Sequence, residues 1–375
     1  MIIAVNTRLL LKNRLEGIGW FTYETLKRIT KSHPEHEFLF IFDRPFDSEF
    51  VFEKNVKPIV LAPQARHPVL YKIWFNWRIP RVLKKHKADV FLSPDGYLSL
   101  RTNVPQIAVM HDLNFEHYPA DLPKVHSRYY RKYFPLFSKV ATRLATVSQF
   151  SRHDISDQYD VDPQKIDVVY NGVGEHFHPI ASDEQLTLRN ELSGGADYFV
   201  FVGSLHPRKN IHRLLKAFDL FKKQAASEVK LVIVGEKFWW NEEIESAYKT
   251  MIFQSDVLFT GRLQTVALNK VVASALALVF VPYFEGFGIP ILEAFKCETP
   301  VITSNITSMP EVAGSAALLV DPFNVEDIAT AMSKVANDPD LRQQLVQKGL
   351  TRAQDFSWDR TAILLWGSIE KVLGL

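Results

Sequence analysis

One cysteine, Cys297, stands in a chain of 375 residues, so no internal disulfide can staple it, and a reduced, cytoplasmic setting is the simplest reading. An excess of either charge is lacking too. The 44 Lys and Arg against 42 Asp and Glu leave a formal net charge of +2, which argues against nucleic acid as a bulk electrostatic partner. No window offers the roughly 20 consecutive apolar residues of a spanning helix. The opening residues MIIAVNTRLLLKN carry Arg8 and Lys12 too early, with no small-residue cleavage site behind them, for a secretory signal. Membrane contact, if any, is therefore expected to be peripheral. What is present is ordinary for a soluble globular enzyme, with 47% hydrophobic and 23% charged residues. Single cores stop growing near roughly 250 to 300 residues, so this length predicts two domains.

Short apolar runs recur along the first half at Ile2 to Val5, Phe38 to Phe42, Val56 to Leu61, Val90 to Leu92, Ile107 to Met110, Ala145 to Val147 and Ile166 to Val169, with helical patterns between most of them. Alternation of this kind predicts a mainly parallel sheet covered by helices on both faces, with ligands at the carboxyl ends of its strands. Gly17 and Gly19 lie where the first strand hands over to a helix expected from about Phe21 to Thr30. Bare backbone there can approach a ligand or simply make a tight turn. His111 and Asp112 follow the run Ile107 to Met110, at such a carboxyl end, and the plain alternative is a loop-capping histidine beside a turn-initiating aspartate. Asp95-Gly96 and Asn114 to His117 fall on the same rim as acceptor-side candidates. The polar stretch near residues 175 to 185 reads as a hinge.

The second half repeats the pattern with runs at Tyr198 to Val202, Leu231 to Val234, Val257 to Thr260, Leu278 to Val281 and Thr299 to Ser304. After the first of these, Gly203-Ser204-Leu205-His206-Pro207-Arg208-Lys209-Asn210 sets a glycine turn beside two cations, an anion-binding arrangement. The chain is organised around Val281 to Glu293, VPYFEGFGIPILE. There an apolar strand stops, glycines intervene and a helix opens with Pro290 at its first position. The main-chain N–H groups of Gly288 and Ile289 are left at a positive helix end that attracts phosphate, bracketed by Glu285 and Glu293. Farther on, Ser308, three residues before Glu311, reads as a capping box.

Glu-x7-Glu with Gly-Phe-Gly inside it resembles the donor-sugar motif of retaining GT-B glycosyltransferases of the group 1 / family 4, mannosyltransferase-like type. Gly-x4-Arg-Lys-Asn resembles that family's diphosphate clamp, and the resemblance spans nearly the whole chain. It implies an α/β protein of two Rossmann-like domains facing across a cleft. Residues 1–175 would bind acceptor, 176–355 nucleotide sugar, and 356–375 would form a helix crossing back to the first domain. It further implies catalytic roles for His111, Arg208, Lys209 and Glu285. Donor-binding roles fall to Gly17, Gly19, Gly203, Ser204, Arg262, Leu263, Phe287, Gly288, Ile289 and Glu293, with Glu293 on the ribose hydroxyls and the main chain near Leu263 on the base.

The implied activity is transfer of a hexosyl group from a UDP- or GDP-sugar, with GDP-mannose favoured by general likeness, to a glycan or lipid-linked acceptor. The nucleotide sugar is a substrate and no cofactor is expected. A metal is not expected either. Asp160-Val161-Asp162 and Asp338-Pro339-Asp340 match Asp-x-Asp but flank prolines in turns, and Arg208 and Lys209 already face the phosphate charge. A sugar phosphorylase or nucleotide-sugar epimerase on the same domains, or a non-catalytic glycan-assembly subunit, are the alternatives. Residues 66–87 carry Lys72, Arg78, Arg81, Lys84, Lys85 and Lys87 beside Tyr71, Trp74, Phe75 and Trp77, with no acid. Such a segment is either a basic element for peripheral membrane contact or a core helix with a solvated face.

Overall fold

A computed structural model describes residues 1–375 as two compact units, Met1–Gly172 with Trp358–Leu375, and Val173–Ser357. The first unit holds seven parallel strands: β1 (Ile2–Asn6), β2 (Glu37–Phe42), β3 (Val56–Val60), β4 (Val90–Ser93), β5 (Gln106–Val109), β6 (Arg143–Thr146) and β7 (Ile166–Val168). The second holds six: β8 (Tyr198–Val202), β9 (Lys230–Val234), β10 (Val257–Gly261), β11 (Ala277–Phe280), β12 (Val301–Ser304) and β13 (Leu318–Val320). Their orders, β3-β2-β1-β4-β5-β6-β7 and β10-β9-β8-β11-β12-β13, follow one plan. Each sheet starts in the middle, runs to one edge, then returns to build the other. The strand order therefore reverses between β1 and β4, and again between β8 and β11, and those switch points are where an open parallel sheet leaves a crevice.

Burial explains why these runs are strands. Ile3, Ala4 and Val5 in β1, Phe199, Val200 and Phe201 in β8, and Leu278, Val279 and Phe280 in β11 are all fully buried. Helices cover both faces, so the sequence signal is a continuous apolar run rather than an alternation. The last helix, Trp358–Leu373, packs on the helix Gly17–Ser32 of the first unit. The Thr361 hydroxyl donates to the Tyr170 carbonyl at 2.7 Å, and Asp167 accepts from Lys371 (2.7 Å) and Ser368 (2.8 Å).

Several local expectations change. Gly17 and Gly19 stand inside the first turn of the helix Gly17–Ser32, earlier than the apolar periodicity placed its start, because a glycine pair adds no signal to that pattern. A helix, Ser182–Ser193, occupies part of the expected hinge. Few of its residues are buried, so it has no apolar stripe to read, while Asp183 and Glu184 complement the dipole of its first turn. β13 is three residues long and falls below any period test. Pro290 is the second rather than the first residue of the helix Ile289–Lys296.

Candidate functional site

The β8–β11 switch point is built by three loops stapled together. Gly203 leaves β8 and donates its N–H to the Val234 carbonyl at 3.0 Å, while the Gly235 N–H donates to the Gly261 carbonyl at 3.0 Å, so the exits of β8, β9 and β10 lie side by side. A Cβ on Gly235 would sit 1.9 Å from the Gly203 carbonyl oxygen, closer than any side chain can be, which explains glycine there. Beyond Gly203 a short turn, Pro207–Lys209, precedes the helix Ile211–Ala225. Asn210, fully buried with φ 65°, donates its amide to the Val281 carbonyl at 3.0 Å and to the Pro322 carbonyl at 2.6 Å. The Tyr283 N–H donates to the Arg208 carbonyl at 3.0 Å. The segment after β8 is thereby fixed to the segment after β11.

This stapling brings Arg208 and Lys209 onto one oxygen of Glu285, although the cations lie more than seventy residues away in sequence. Arg208 also donates to the Phe284 carbonyl at 3.3 Å, and the Lys209 ammonium lies 4.7 Å from the centre of the Phe280 ring. Burial alone would raise the pKa of Glu285, but the Arg208 and Lys209 charges outweigh it and hold the carboxyl below its usual value. His206 is pushed down to about 3 by burial and by the same cations, so its neutral Nδ1 accepts the Arg208 N–H at 3.4 Å. Two cations against one carboxylate leave the cluster net positive, in surroundings where charge is weakly screened.

Gly288 opens the helix Ile289–Lys296 from the left-handed region, φ 95°, and a Cβ there would meet Met309 Cε at 2.7 Å. Five residues into that helix Glu293 is half-buried. Its side chain makes no hydrogen bond, and burial pushes it up to about 7. Ser308 does not cap its own helix as expected. Its buried hydroxyl donates to the Glu285 carbonyl at 2.8 Å, because the backbone at Ser308 (φ −81°, ψ −6°) is already helical and turns the hydroxyl inward. Ser308 and Asn210 thus position the site. For Ser308 the capping pattern pointed to a different partner, and for Asn210 the Lys-Asn step before a helix was the only signal.

Of the remaining expected donor-binding residues, Ser204 is exposed, Arg262 is exposed and Leu263 half-buried on the β10 exit. The Phe287 ring is buried and meets Phe356 edge-on at 5.6 Å, so that residue can offer only main-chain groups.

In the first unit His111 follows β5, and its Nε2 donates to the Pro94 carbonyl at 2.8 Å. Burial lowers its pKa, which favours the neutral ring with Nδ1 as the acceptor nitrogen. Phe21 meets that ring edge-on at 5.0 Å, tying His111 to the helix whose first turn carries Gly17 and Gly19. A Cβ on Gly17 would meet open space, whereas one on Gly19 would crowd Leu15 and the Leu9 carbonyl at 3.2 Å. Gly17 alone is open to a ligand, and Gly19 serves packing. Asp112 accepts from the Asn114 N–H at 3.0 Å, starting a turn. Asp95 is committed to Arg8 at 2.6 Å and to Asn6 at 2.7 Å, beneath a cage in which the Arg8 guanidinium lies 4.5 Å from the Tyr97 ring centre. No local pattern in the sequence marks this buried ion pair at the β1–β4 switch point.

Residues 66–87 form a helix broken into segments, Pro68–Ile73, Trp74–Arg78 and Ile79–His86, and the core reading of this stretch holds for three of its four aromatics. Tyr71, Trp74 and Phe75 are core, while Val69, Ile73 and Trp77 are exposed among Lys72, Arg81, Lys84 and Lys85.

Residues 184–352 match the family described as glycosyl transferases group 1, and residues 15–176 match glycosyltransferase family 4. The chain is 27% identical over 360 residues to O-antigen chain mannosyltransferase B of Escherichia coli, covering 93% of this chain and 94% of that one. It superposes on WaaG, a glycosyltransferase involved in lipopolysaccharide biosynthesis, with a TM-score of 0.75 at 16% identity over 100% of both chains. Against Anabaena HepE in complex with UDP and glucose the TM-score is 0.75 at 17% identity, over 99% of this chain and 100% of that one.

Proposed function

We propose specific roles for the residues above in a chain that belongs to the glycosyl transferases group 1 and glycosyltransferase family 4, has the GT-B fold, and transfers a hexosyl group from a nucleotide sugar to a glycan acceptor. The reading is that the β8–β11 switch point grips the donor diphosphate. It rests on one observation: Arg208 and Lys209 converge on Glu285 at that switch point, a few residues before the helix end at Gly288. On donor binding the phosphates compete with Glu285 for both cations, and the N–H groups of Gly288 and Ile289 add a fixed positive end. As the bond to the anomeric carbon breaks, negative charge accumulates on the departing diphosphate and the same groups stabilise it. Loss of one such donor is worth about 3 kcal/mol in the transition state.

Glu285, relieved of the cations, accepts from hydroxyls of the transferred sugar. Glu293 accepts from the ribose diol, for which a carboxylate offers two acceptor oxygens. His111, with its Nε2–H held by Pro94, keeps Nδ1 as its acceptor nitrogen, and the family resemblance supports a role for it toward the transferred sugar. The family resemblance supports retention of anomeric configuration, with the leaving phosphate taking the acceptor proton. Mannose is the favoured sugar, supported by likeness to mannosyltransferases of O-antigen chains, and GDP is favoured with it on the general family resemblance alone. Two protein cations on the diphosphate make a catalytic metal unnecessary in this reading, so turnover is expected to survive EDTA, and EDTA-sensitive turnover counts against it.

No helix is long and apolar enough to cross a membrane. The exposed Val69, Ile73 and Trp77 lie on a helix packed against Lys124–Val140, which adds exposed Val125, Leu136 and Val140 and the exposed cations Lys124, Arg128, Arg131, Lys132 and Lys139. Such a basic, apolar face fits an anionic lipid surface, and with it a lipid-linked acceptor. The donor assignment is tested by incubating the protein with GDP-mannose, UDP-glucose and an acceptor oligosaccharide. Free nucleoside diphosphate should appear only when the right donor and the acceptor are both present.

A further inference from the structure

The helix Gly17–Ser32 ends in a turn, His33-Pro34-Glu35-His36, that leads directly into β2. The turn is closed by the His36 N–H donating to the His33 carbonyl at 3.2 Å, and it gathers three side chains on one side. His33 Nδ1 lies 3.5 Å from Glu35 Oε1, and His36 Nε2 lies 3.3 Å from the same oxygen. One ligand atom from each of the three falls within 4.8 Å of the others. A tetrahedral ion with bonds of roughly 2.0 to 2.1 Å separates its ligand atoms by about 3.4 Å, so two of the three spacings already match.

The imidazoles are buttressed from behind. The Trp366 indole, carried by the last helix, stacks on the His33 ring at 3.6 Å and 16° and flanks the His36 ring at 5.3 Å and 28°. His36 Nδ1 lies 3.3 Å from the Met1 amino nitrogen, which leaves Nε2 turned toward Glu35. Glu35 is exposed, so the fourth position of a tetrahedron opens to water.

From this geometry we propose that His33, Glu35 and His36 form a divalent transition-metal site on the first unit, separate from the donor-binding residues, suited to zinc and to nickel or copper. Two imidazoles and a carboxylate are donors of the right softness for these ions and a poor match for magnesium or calcium, which prefer all-oxygen shells. Held there, the ion fixes the turn and the imidazole face against Trp366, coupling the first connection of the chain to its last helix. Its role is structural, and no step of sugar transfer passes through it.

The test is calorimetric titration of ZnCl2 into untagged, metal-stripped full-length protein, with melting followed in parallel. One equivalent should bind at micromolar concentrations and raise the melting temperature. His36→Gln should weaken binding at least tenfold. Glu35→Gln, at an exposed position where the fold is not at stake, should weaken it several-fold or more. Trp366→Phe should retain zinc binding within a few-fold, yet lose most of the tryptophan quenching that Cu2+ produces in the wild type. Absence of a saturable equivalent overturns the proposal. So does an equivalent that neither His36→Gln nor Glu35→Gln weakens, since it would lie elsewhere.

Discussion

Glu293 shows how a single side chain can be held ready at a cost to the fold. Its carboxyl has no hydrogen-bond partner and its pKa is pushed up to about 7 by burial, so the folded chain takes up this proton more readily than the unfolded one. The stabilising proton is fully present below the ordinary glutamate range and is lost as pH rises through about 7. Ionising a half-buried group of this kind costs on the order of 1–2 kcal/mol once solvent screening is allowed for. Glu293→Gln should therefore melt several degrees higher than the wild type at pH 8, and at about the same temperature at pH 4. The same variant should bind nucleoside diphosphate at least tenfold more weakly. A melting difference that does not change with pH would contradict the titration. Sequence alone marked Glu293 as a ligand to the donor and could not show that it lacks an internal partner, because that depends on which side chains the neighbouring loops bring near it. Arg208 and Lys209 were legible as anion-binding candidates from their position after a glycine exit. Their convergence on Glu285 was not, because it depends on the register of two strands.

At the scale of elements, loop ends did more than the sequence pattern foretold. The polar caps are real where they stand alone. Asp338 accepts from the Leu341 N–H at 2.9 Å and Asp162 from the Gln164 N–H at 2.8 Å, so two of the aspartates in the Asp-x-Asp matches cap helical turns. Ser308 broke its pattern, because a hydroxyl that can reach the Glu285 carbonyl in the loop after β11 makes that bond instead of capping its own helix. Ser308→Ala should remove about 1 kcal/mol of stability and lower kcat about tenfold by loosening Glu285, with a smaller effect on KM. Stability loss with unchanged kcat would limit Ser308 to packing. Gly288→Ala forces a side chain into the left-handed region and against Met309, and should cost about 1–3 kcal/mol, read as a lowered midpoint in urea. The segmented helix over residues 66–87 was half legible. Its basic residues are plain in the chain, yet which aromatics face the core follows from packing that local periodicity does not encode. Co-sedimentation with vesicles containing anionic lipid should exceed that with neutral vesicles, and Trp77→Ala with Lys72→Ala should reduce it. Equal binding to both vesicle types would dismiss the lipid face.

Across the whole molecule the sequence revealed its α/β class early, because doubly covered parallel strands are written as unbroken apolar runs. The edge strand β13 and the helix Ser182–Ser193 escaped because neither carries a period to detect. Both sheets share one order and place an arginine–carboxylate pair at the reversal, Arg8 with Asp95 and Arg208 with Glu285. The first pair is sealed under an aromatic cage, whereas the second stands with an additional lysine at a helix end, which is why the second unit is assigned the diphosphate. The most direct measurement is nucleoside diphosphate affinity by calorimetry for the wild type, Arg208→Ala and Lys209→Ala, with GDP and UDP compared. Saturable one-to-one binding of one of them is expected, weakened at least a hundredfold by Arg208→Ala and at least tenfold by Lys209→Ala. Wild-type affinity in either variant, with the fold intact by circular dichroism, would contradict it.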